Sequence, residues 1–349
     1  MVDEERRLGG RKVKAVYLEA PNQLSVIDRP VPEPGPGEAR LRVLMAGICA
    51  SDVSVIKGLN PVGRFPLTPG HECIGVVEAA GPDTGVAVGD WAVMFPSIGC
   101  GDCKACRAGR VNHCPTYQVF GINRDSGCFA EQVVLPEGQL IAVPESLRNS
   151  MGALIEPSAV GVHVNRRAGT VAGDAVLVIG AGVIGMVTAM VARAMGAERV
   201  ALVDRFASRG ALAERCGFAE FHTSGRETID ALRAKGPFDT VFDCVGLPET
   251  MADGIAALAP GGRLVLVATP KTGWRIDVDY ASAYRPELSL ILCRNYVKDD
   301  FAMAIDLIAS GRMDPRPIVT ATYPLAAFPE ALAALTEKPE QHVKVLVEP

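Results

Sequence analysis

The sequence predicts an α/β protein of two domains, a β-rich one built from both ends of the chain and a doubly wound parallel sheet inserted between them. Three observations carry that expectation. Through residue 144 the apolar residues come in short alternating runs broken by Gly and Pro. From about residue 150, continuous apolar runs alternate with helical stretches, the pattern of a parallel sheet with crossover helices. Beyond about residue 296 a helix and two short strand-like pieces return, as if to complete the first domain. The expected bounds are 1–157 with 296–349 for the β-rich domain and 158–295 for the parallel-sheet domain.

The elements follow in order. Residues 12–45 hold two alternating segments, one at 12–17 and one at 39–45, separated by the turn-rich Pro30-Val-Pro-Glu-Pro-Gly-Pro-Gly37. Further short strands are expected at 74–78, 90–95 and 129–135. Ala175-Val-Leu-Val-Ile179 is apolar throughout, as expected of a strand covered on both faces. A helix over 183–195 and a second buried strand over 199–204 come next. The alternation recurs with a strand at 240–245, a helix at 248–258 and a strand at 262–268. The closing pieces are a helix over 300–311 and strands at 318–322 and 343–347.

A chain of 349 residues with 48% hydrophobic and 21% charged residues is long enough and apolar enough for two packed cores. Its net charge of −5 argues against nucleic acid or an anionic membrane as partner, since both call for a basic face. The N-terminus starts acidic and lacks the apolar stretch of a secretory signal, and its first eleven or so residues read as a frayed tail. No apolar run reaches 18 residues, so no membrane span is expected and a cytoplasmic location is the default. In that reducing setting the ten cysteines point away from disulfides.

Four of them lie within fifteen residues, Cys100, Cys103, Cys106 and Cys114, in the spacing Cys-x2-Cys-x2-Cys-x7-Cys. Four thiolates on a short loop can close a tetrahedral zinc site with no open position, which is the structural kind. An iron–sulfur cluster, which also takes four cysteines, is the rival. His113, beside Cys114, reads as a bystander.

A second set is dispersed: Cys49 in Gly47-Ile-Cys-Ala-Ser-Asp52, His71 and Glu72 in Pro69-Gly-His-Glu72, and Glu156 in Ala153-Leu-Ile-Glu-Pro157. A thiolate, an imidazole and a carboxylate suit a zinc that keeps one position for water or substrate. Taken singly, each has a plainer explanation, buried cysteine being a common apolar filler. Their joint occurrence with a third feature changes the balance.

That feature is Ile179-Gly-Ala-Gly-Val-Ile-Gly185, which directly follows a buried strand and opens a helix. Gly180, Gly182 and Gly185 permit the tight turn, the approach of a pyrophosphate and close helix–strand packing, while the N–H groups at Val183 and Ile184 begin the helix. Asp204 ends the next strand 19 residues after Gly185. Its carboxylate can accept from ribose hydroxyls and would repel a 2′-phosphate, which favours NAD over NADP. Arg205 and Arg209 stand close enough to blunt that preference.

With these residues in view, the chain resembles the medium-chain, zinc-containing alcohol dehydrogenases, and within them the sorbitol (polyol) and sugar-acid dehydrogenase branch. The resemblance runs from about Lys12 to the C-terminus and is closest over 152–163 and 180–204. It implies a GroES-like catalytic domain and a Rossmann cofactor domain. It implies two zinc ions per chain, one catalytic and one structural, and NAD as cofactor. Cys49 and His71 match ligands of the catalytic zinc, and either Glu72 or Glu156 matches the third. Ser51 matches the hydroxyl residue that contacts the substrate oxygen, and Arg294 an arginine near the substrate. Ser54 departs from the pattern, standing where many relatives place the histidine that ends a proton relay. The implied reaction is hydride transfer between NAD and a secondary hydroxyl of a polyol, sugar acid or cyclitol. An NADP-linked reductase and a non-catalytic dinucleotide-binding protein are the alternatives. A homodimer or homotetramer is expected, with 263–279 as an interface segment.

Overall fold

The computed structural model describes residues 11–270, 275, 276 and 278–349. The tail expected at the N-terminus lies, through residue 10, outside the described residues, as do 271–274 and 277 of the expected interface segment. The chain divides into two compact units, Met1–Glu156 with Val319–Pro349, and Pro157–Ile318.

In the first unit, β1 (Lys12–Ala20) and β2 (Gln23–Pro30) form an antiparallel hairpin. The main sheet is centred on β3 (Glu38–Gly47), whose burial alternates over its first six residues, as the period of two in its sequence requires. β3 pairs antiparallel with β4 (Glu72–Ala80) and with β8 (Gln132–Pro136), and the sheet continues through β5 (Trp91–Met94) to β9 (Leu140–Ala142). The last strand of the chain, β17 (Lys344–Glu348), also pairs with β3, and β16 (Val319–Pro324) runs parallel to β17. This is how the two ends of the chain make one body. Leu41, Phe129, Phe328 and Val345 share one buried cluster, and the rings of Phe129 and Phe328 lie 4.7 Å apart. Each such side chain contributes about 1.5–3 kcal/mol by leaving water.

The second unit carries a six-stranded parallel sheet in the order β12 (Phe221–Thr223), β11 (Arg199–Asp204), β10 (Ala175–Ile179), β13 (Phe238–Asp243), β14 (Leu258–Leu266), β15 (Ser289–Leu292). The order reverses between β10 and β13, and a ligand-binding crevice forms beyond the carboxyl ends of strands at such a point. β10 is buried at Val176, Leu177, Val178 and Ile179, in keeping with its unbroken apolar run. The far edge strand β15 leaves Leu290 and Leu292 exposed.

The second domain boundary falls at Ile318 and not at 295. Within the second unit a polar knot about the buried Asp300 ties the late helix Lys298–Ala309 to the helix Ile155–Ala168. Asp300 caps its own helix by accepting from Val297 N–H (2.8 Å), and it also bonds His163 Nδ1 (2.8 Å) and Arg166 (2.6 Å). Tyr296 and Phe301 pack edge to face beside it, ring centroids 5.0 Å apart. Hydrophobic periodicity located the helix, and this knot, together with buried Phe301, Ala304, Leu307 and Ile308, accompanies its place in the second unit.

Candidate functional site

The four cysteines occupy a loop whose base is a short antiparallel pair, β6 (Ser97–Ile98) with β7 (Gln118–Val119), reinforced by a 2.6 Å hydrogen bond between Ser97 Oγ and the Tyr117 hydroxyl. The ligand atoms of Cys100, Cys103, Cys106 and Cys114 lie within 4.8 Å of one another, and the set does not include His113. Backbone N–H groups already point at the sulfurs: Cys103 N–H donates to Cys100 Sγ (3.4 Å), Cys106 N–H to Cys103 Sγ (3.4 Å) and Cys100 N–H to Cys114 Sγ (3.3 Å). Such bonds favour the thiolate, the form that binds metal. Hydrogen bonding to Thr116, with help from the Cys100 N–H, pulls the Cys114 thiol down to about 6. The donors fit a closed four-thiolate zinc site.

The dispersed residues also converge. Cys49 is the N-cap of helix α1 (Ala50–Ile56), immediately beyond the end of β3, and His71 and Glu72 stand at the start of the neighbouring strand β4. Because Gly47 is the register partner of Glu72, the pairing of β3 with β4 sets the cysteine beside the histidine and the glutamate. The ligand atoms of Cys49, His71 and Glu72 lie within 4.8 Å of one another. A thiolate, an imidazole and a carboxylate at that spacing fit a zinc with one open position.

Asp52, buried completely, fastens two of the three. Its Oδ2 accepts from Cys49 N–H (2.9 Å), and its Oδ1 faces His71 Nδ1 at 3.0 Å. The carboxylate calls for the proton on Nδ1, which leaves Nε2 as the metal-binding nitrogen. Burial works against a charged His71, but the Asp52 carboxylate, and then Cys49, outweigh it and hold the imidazole well above its ordinary value. Ser51 Oγ lies 3.4 Å from His71 Nε2, on the side where an ion would sit. Ser54 Oγ instead donates back to Ala50 O (3.1 Å) within its own helix.

Two participants escaped the sequence reading. Asp52 was passed over as the end of a motif; its signal is the capping spacing, three residues after the cysteine. Lys344 was read only as part of a strand. It is fully buried, and its Nζ donates to Ile48 O (3.1 Å) and to Glu72 Oε2. Burial opposes its charge, but Glu72, Cys49 and Glu156 together keep the ammonium above its ordinary value. A single lysine inside the apolar run Val343-Lys-Val-Leu-Val347 is the signal that was available. Glu156 is buried and its charge is felt by Lys344, yet it lies outside the close-set trio.

In the second unit the glycine loop has the form its spacing predicts. Gly180 adopts φ +96°, and its N–H donates to Val203 O (2.8 Å). A Cβ on Gly185 would fall 1.7 Å from Gly180 O, so only glycine lets the helix pack so close to the strand. Gly182 caps the helix Val183–Ala194 with no side-chain bond to its first N–H groups, and a Cβ there would meet no atom within 4 Å. An anion suits that helix start. Asp204, ending β11, accepts from Ala181 N–H (2.7 Å) through Oδ2 and from Phe206 N–H (2.8 Å) through Oδ1. Each oxygen keeps a second acceptor site for a ribose hydroxyl. The guanidinium groups of Arg205 and Arg209 lie 4.5 Å and 5.9 Å from the Phe206 ring centroid. Arg294 is exposed, two residues past β15.

Two family models match this architecture: the alcohol dehydrogenase GroES-like domain over residues 35–145 and the zinc-binding dehydrogenase model over 183–310. The chain belongs to the medium-chain, zinc-containing alcohol dehydrogenase superfamily. Its relatives place it in the polyol and sugar-acid dehydrogenase branch. It is 34% identical to a sorbitol dehydrogenase of Arabidopsis thaliana over 88% of this chain and 86% of that one. It is 31% identical to an L-idonate 5-dehydrogenase of Vitis vinifera over 89% and 87%. The structure is also similar to that of a zinc-binding dehydrogenase of Sinorhizobium meliloti 1021 bound to NADP, with a TM-score of 0.89, 32% identity, and 97% of this chain and all of the other covered. The chain is an alcohol dehydrogenase of the zinc-type, nicotinamide-dependent class. Among the described residues no helix is long and apolar enough to cross a membrane.

Proposed function

We propose that this chain oxidises a secondary hydroxyl of a polyol, sugar acid or cyclitol with NAD, using one catalytic and one structural zinc per chain. The observation that carries the reading is the convergence of Cys49, His71 and Glu72, with Asp52 bonded to both the Cys49 N–H and the His71 imidazole. Cys49 and His71 would hold the catalytic ion, with Glu72 or Glu156 as third ligand, and the four-cysteine lobe would hold the second. When bound, zinc makes a hydroxyl acidic near neutral pH, and the nicotinamide takes hydride at its C4.

The chain's own part is to position groups and to move a proton. Asp52 fixes the ring of His71 and the backbone of Cys49, so the ligands need no reorganisation when substrate arrives. Ser51 Oγ would accept the substrate's hydroxyl proton and release it toward water. Gly180, Gly182 and Gly185 would admit a pyrophosphate to the N–H groups at Val183 and Ile184, and Asp204 would hold the ribose. Arg294 is the candidate contact for a substrate hydroxyl or carboxylate. The names of the polyol and sugar-acid relatives support a small polyhydroxylated substrate.

NADP is the second reading, favoured by Arg205 and Arg209 about Phe206 and by the NADP-bound structural neighbour. The edge of β15, unpaired among the described residues and with Leu290 and Leu292 exposed, suits assembly into a homodimer or homotetramer. Ten cysteines outside any disulfide suit a cytoplasmic setting.

The test is metal analysis together with a screen of polyols, sugar acids, cyclitols and simple alcohols, each with NAD and with NADP. About two zincs per chain and reduction of NAD by one polyhydroxylated class are expected. One zinc or none would sink the assignment of the catalytic centre. Faster reduction of NADP would move the cofactor reading to Arg205 and Arg209.

A further inference from the structure

Asp243 ends β13 as a carboxyl group with no exposed surface, beside the point where the strand order reverses. Burial pushes that carboxyl up, in spite of hydrogen bonds that favour its charge. Its partners show what it is kept for. Oδ1 accepts from the N–H groups of Val245 and Gly246, both at 2.9 Å, and Oδ2 from the Thr250 hydroxyl at 2.9 Å. Thr250 Oγ1 in turn accepts from the N–H of Leu247 (3.0 Å), the N-cap of the helix Pro248–Ala257. One buried carboxylate thus folds the whole bend 244–247 between strand and helix. Gly246 takes φ +73°, and a Cβ on it would fall 2.7 Å from Ala268 Cβ, so the bend lies tight against the chain leaving β14. Val245 leans instead on the glycine loop: a Cβ on Gly180 would fall 2.7 Å from Val245 Cγ2, and the valine remains 39% exposed. A partly bare apolar side chain is therefore held over the first glycine of the loop, where β10 and β13 both end.

We propose that Asp243 is a positioning residue for the dinucleotide, which holds Val245 against the glycine loop as an apolar wall for the bound cofactor. This rests on the reading of the glycine loop and Asp204 as the cofactor site. Asp243 has no surface with which to touch a ligand, so it acts through the bend alone. With the carboxylate gone, the N–H groups of Val245 and Gly246 lose their acceptor and the bend opens toward water to satisfy them. Binding must then order the bend again, which weakens affinity although no contact atom has been removed.

The test is a fluorescence titration of NADH on the full chain, with the thermal midpoint recorded for each variant. Val245→Ala, which trims the wall itself, is expected to raise the Kd for NADH about fivefold. Asp243→Ala is expected to raise it about fivefold to tenfold, and Asp243→Asn, which keeps an acceptor for both N–H groups, to restore most of the affinity. The double variant Asp243→Ala with Val245→Ala is expected to bind NADH within about twofold of Asp243→Ala alone, because both changes remove the same wall. Losses that multiply, to about 25-fold or more, overturn the proposal. So does an unchanged Kd in a folded Asp243→Ala variant, since a merely structural carboxylate would lower the thermal midpoint and leave NADH binding alone. Should Asp243→Ala fail to fold, Thr250→Val takes its place in the same cycle. It removes one bond of the three, and a loss of about threefold that does not multiply with Val245→Ala is expected, a multiplied one again being fatal. An unaltered chain that binds neither NADH nor NADPH would fail the dinucleotide reading itself and the proposal with it, a result distinct from any of these.

Discussion

The four-cysteine lobe and the Cys49 centre use overlapping donors but are assembled by different means. The lobe takes all its sulfurs from residues 100–114, and two of its N–H to sulfur bonds link residues three apart. The Cys49 centre draws on a helix cap, the start of a strand and the last strand of the chain, and the Glu72–Lys344 pair spans 272 positions. A local site depends on its loop, and a dispersed one on the whole sheet. A metal would therefore serve the loop in the first case, while in the second the fold would serve the metal.

Cys49→Ser should break the comparison most sharply. Turnover is expected to drop by about 10³-fold or more, the scale of losing several kcal/mol of charge stabilisation, with cofactor binding retained. Steady-state rates beside a fluorescence titration of NADH measure the two, and unchanged turnover would remove Cys49 from the centre. Asp52→Asn should be milder, loosening the same zinc by about 10–100-fold without touching the lobe's, as read by chelator competition. Equal loss of both zincs would mean that the two sites are not independent.

Cys103→Ser tests the other side. It is expected to cost one zinc per chain and to lower the thermal midpoint by roughly 6–12 °C, with activity surviving in the molecules that stay folded. Loss of activity with no change in stability would reverse the roles assigned to the two sites.

The His163–Asp300–Arg166 knot is a control, dispersed in sequence like the Cys49 centre but with no part in metal binding. Burial pushes the Asp300 carboxyl up, but the hydrogen bond from His163, the Val297 N–H and the Arg166 bond outweigh it and leave it below the ordinary value. A depressed folded value means that its contribution to stability is present above the unfolded value, about 3.9, and is lost as pH falls through the folded one. Asp300→Asn should cost about 1–3 kcal/mol at neutral pH and flatten the acid limb of the stability curve. Chemical denaturation between neutrality and strong acid checks this, and an unchanged acid limb would remove Asp300 from the account.

Much of the fold was legible because its signals are local. The unbroken run of β10, the alternation in β3 and the glycine loop each depend on residues a few positions apart. Cys49, His71 and Glu72 were legible only jointly, through motifs scattered along the chain. The helix at Lys298–Ala309 was expected in the right place but in the wrong domain. Nothing in its periodicity encodes that Asp300 reaches back 137 positions to His163.

By itself, then, the sequence determined the periodicities, the four-cysteine loop and the glycine turn after β10, since each is fixed by neighbours along the chain. Only the tertiary structure decided which carboxylate stands in the close-set trio, that Asp52 steers the histidine, and that a lysine at the far end of the chain is buried against Glu72. The physical reason is sheet register: β17 lies against β3 and β3 against β4, and that pairing brings together charges that no local pattern could have matched.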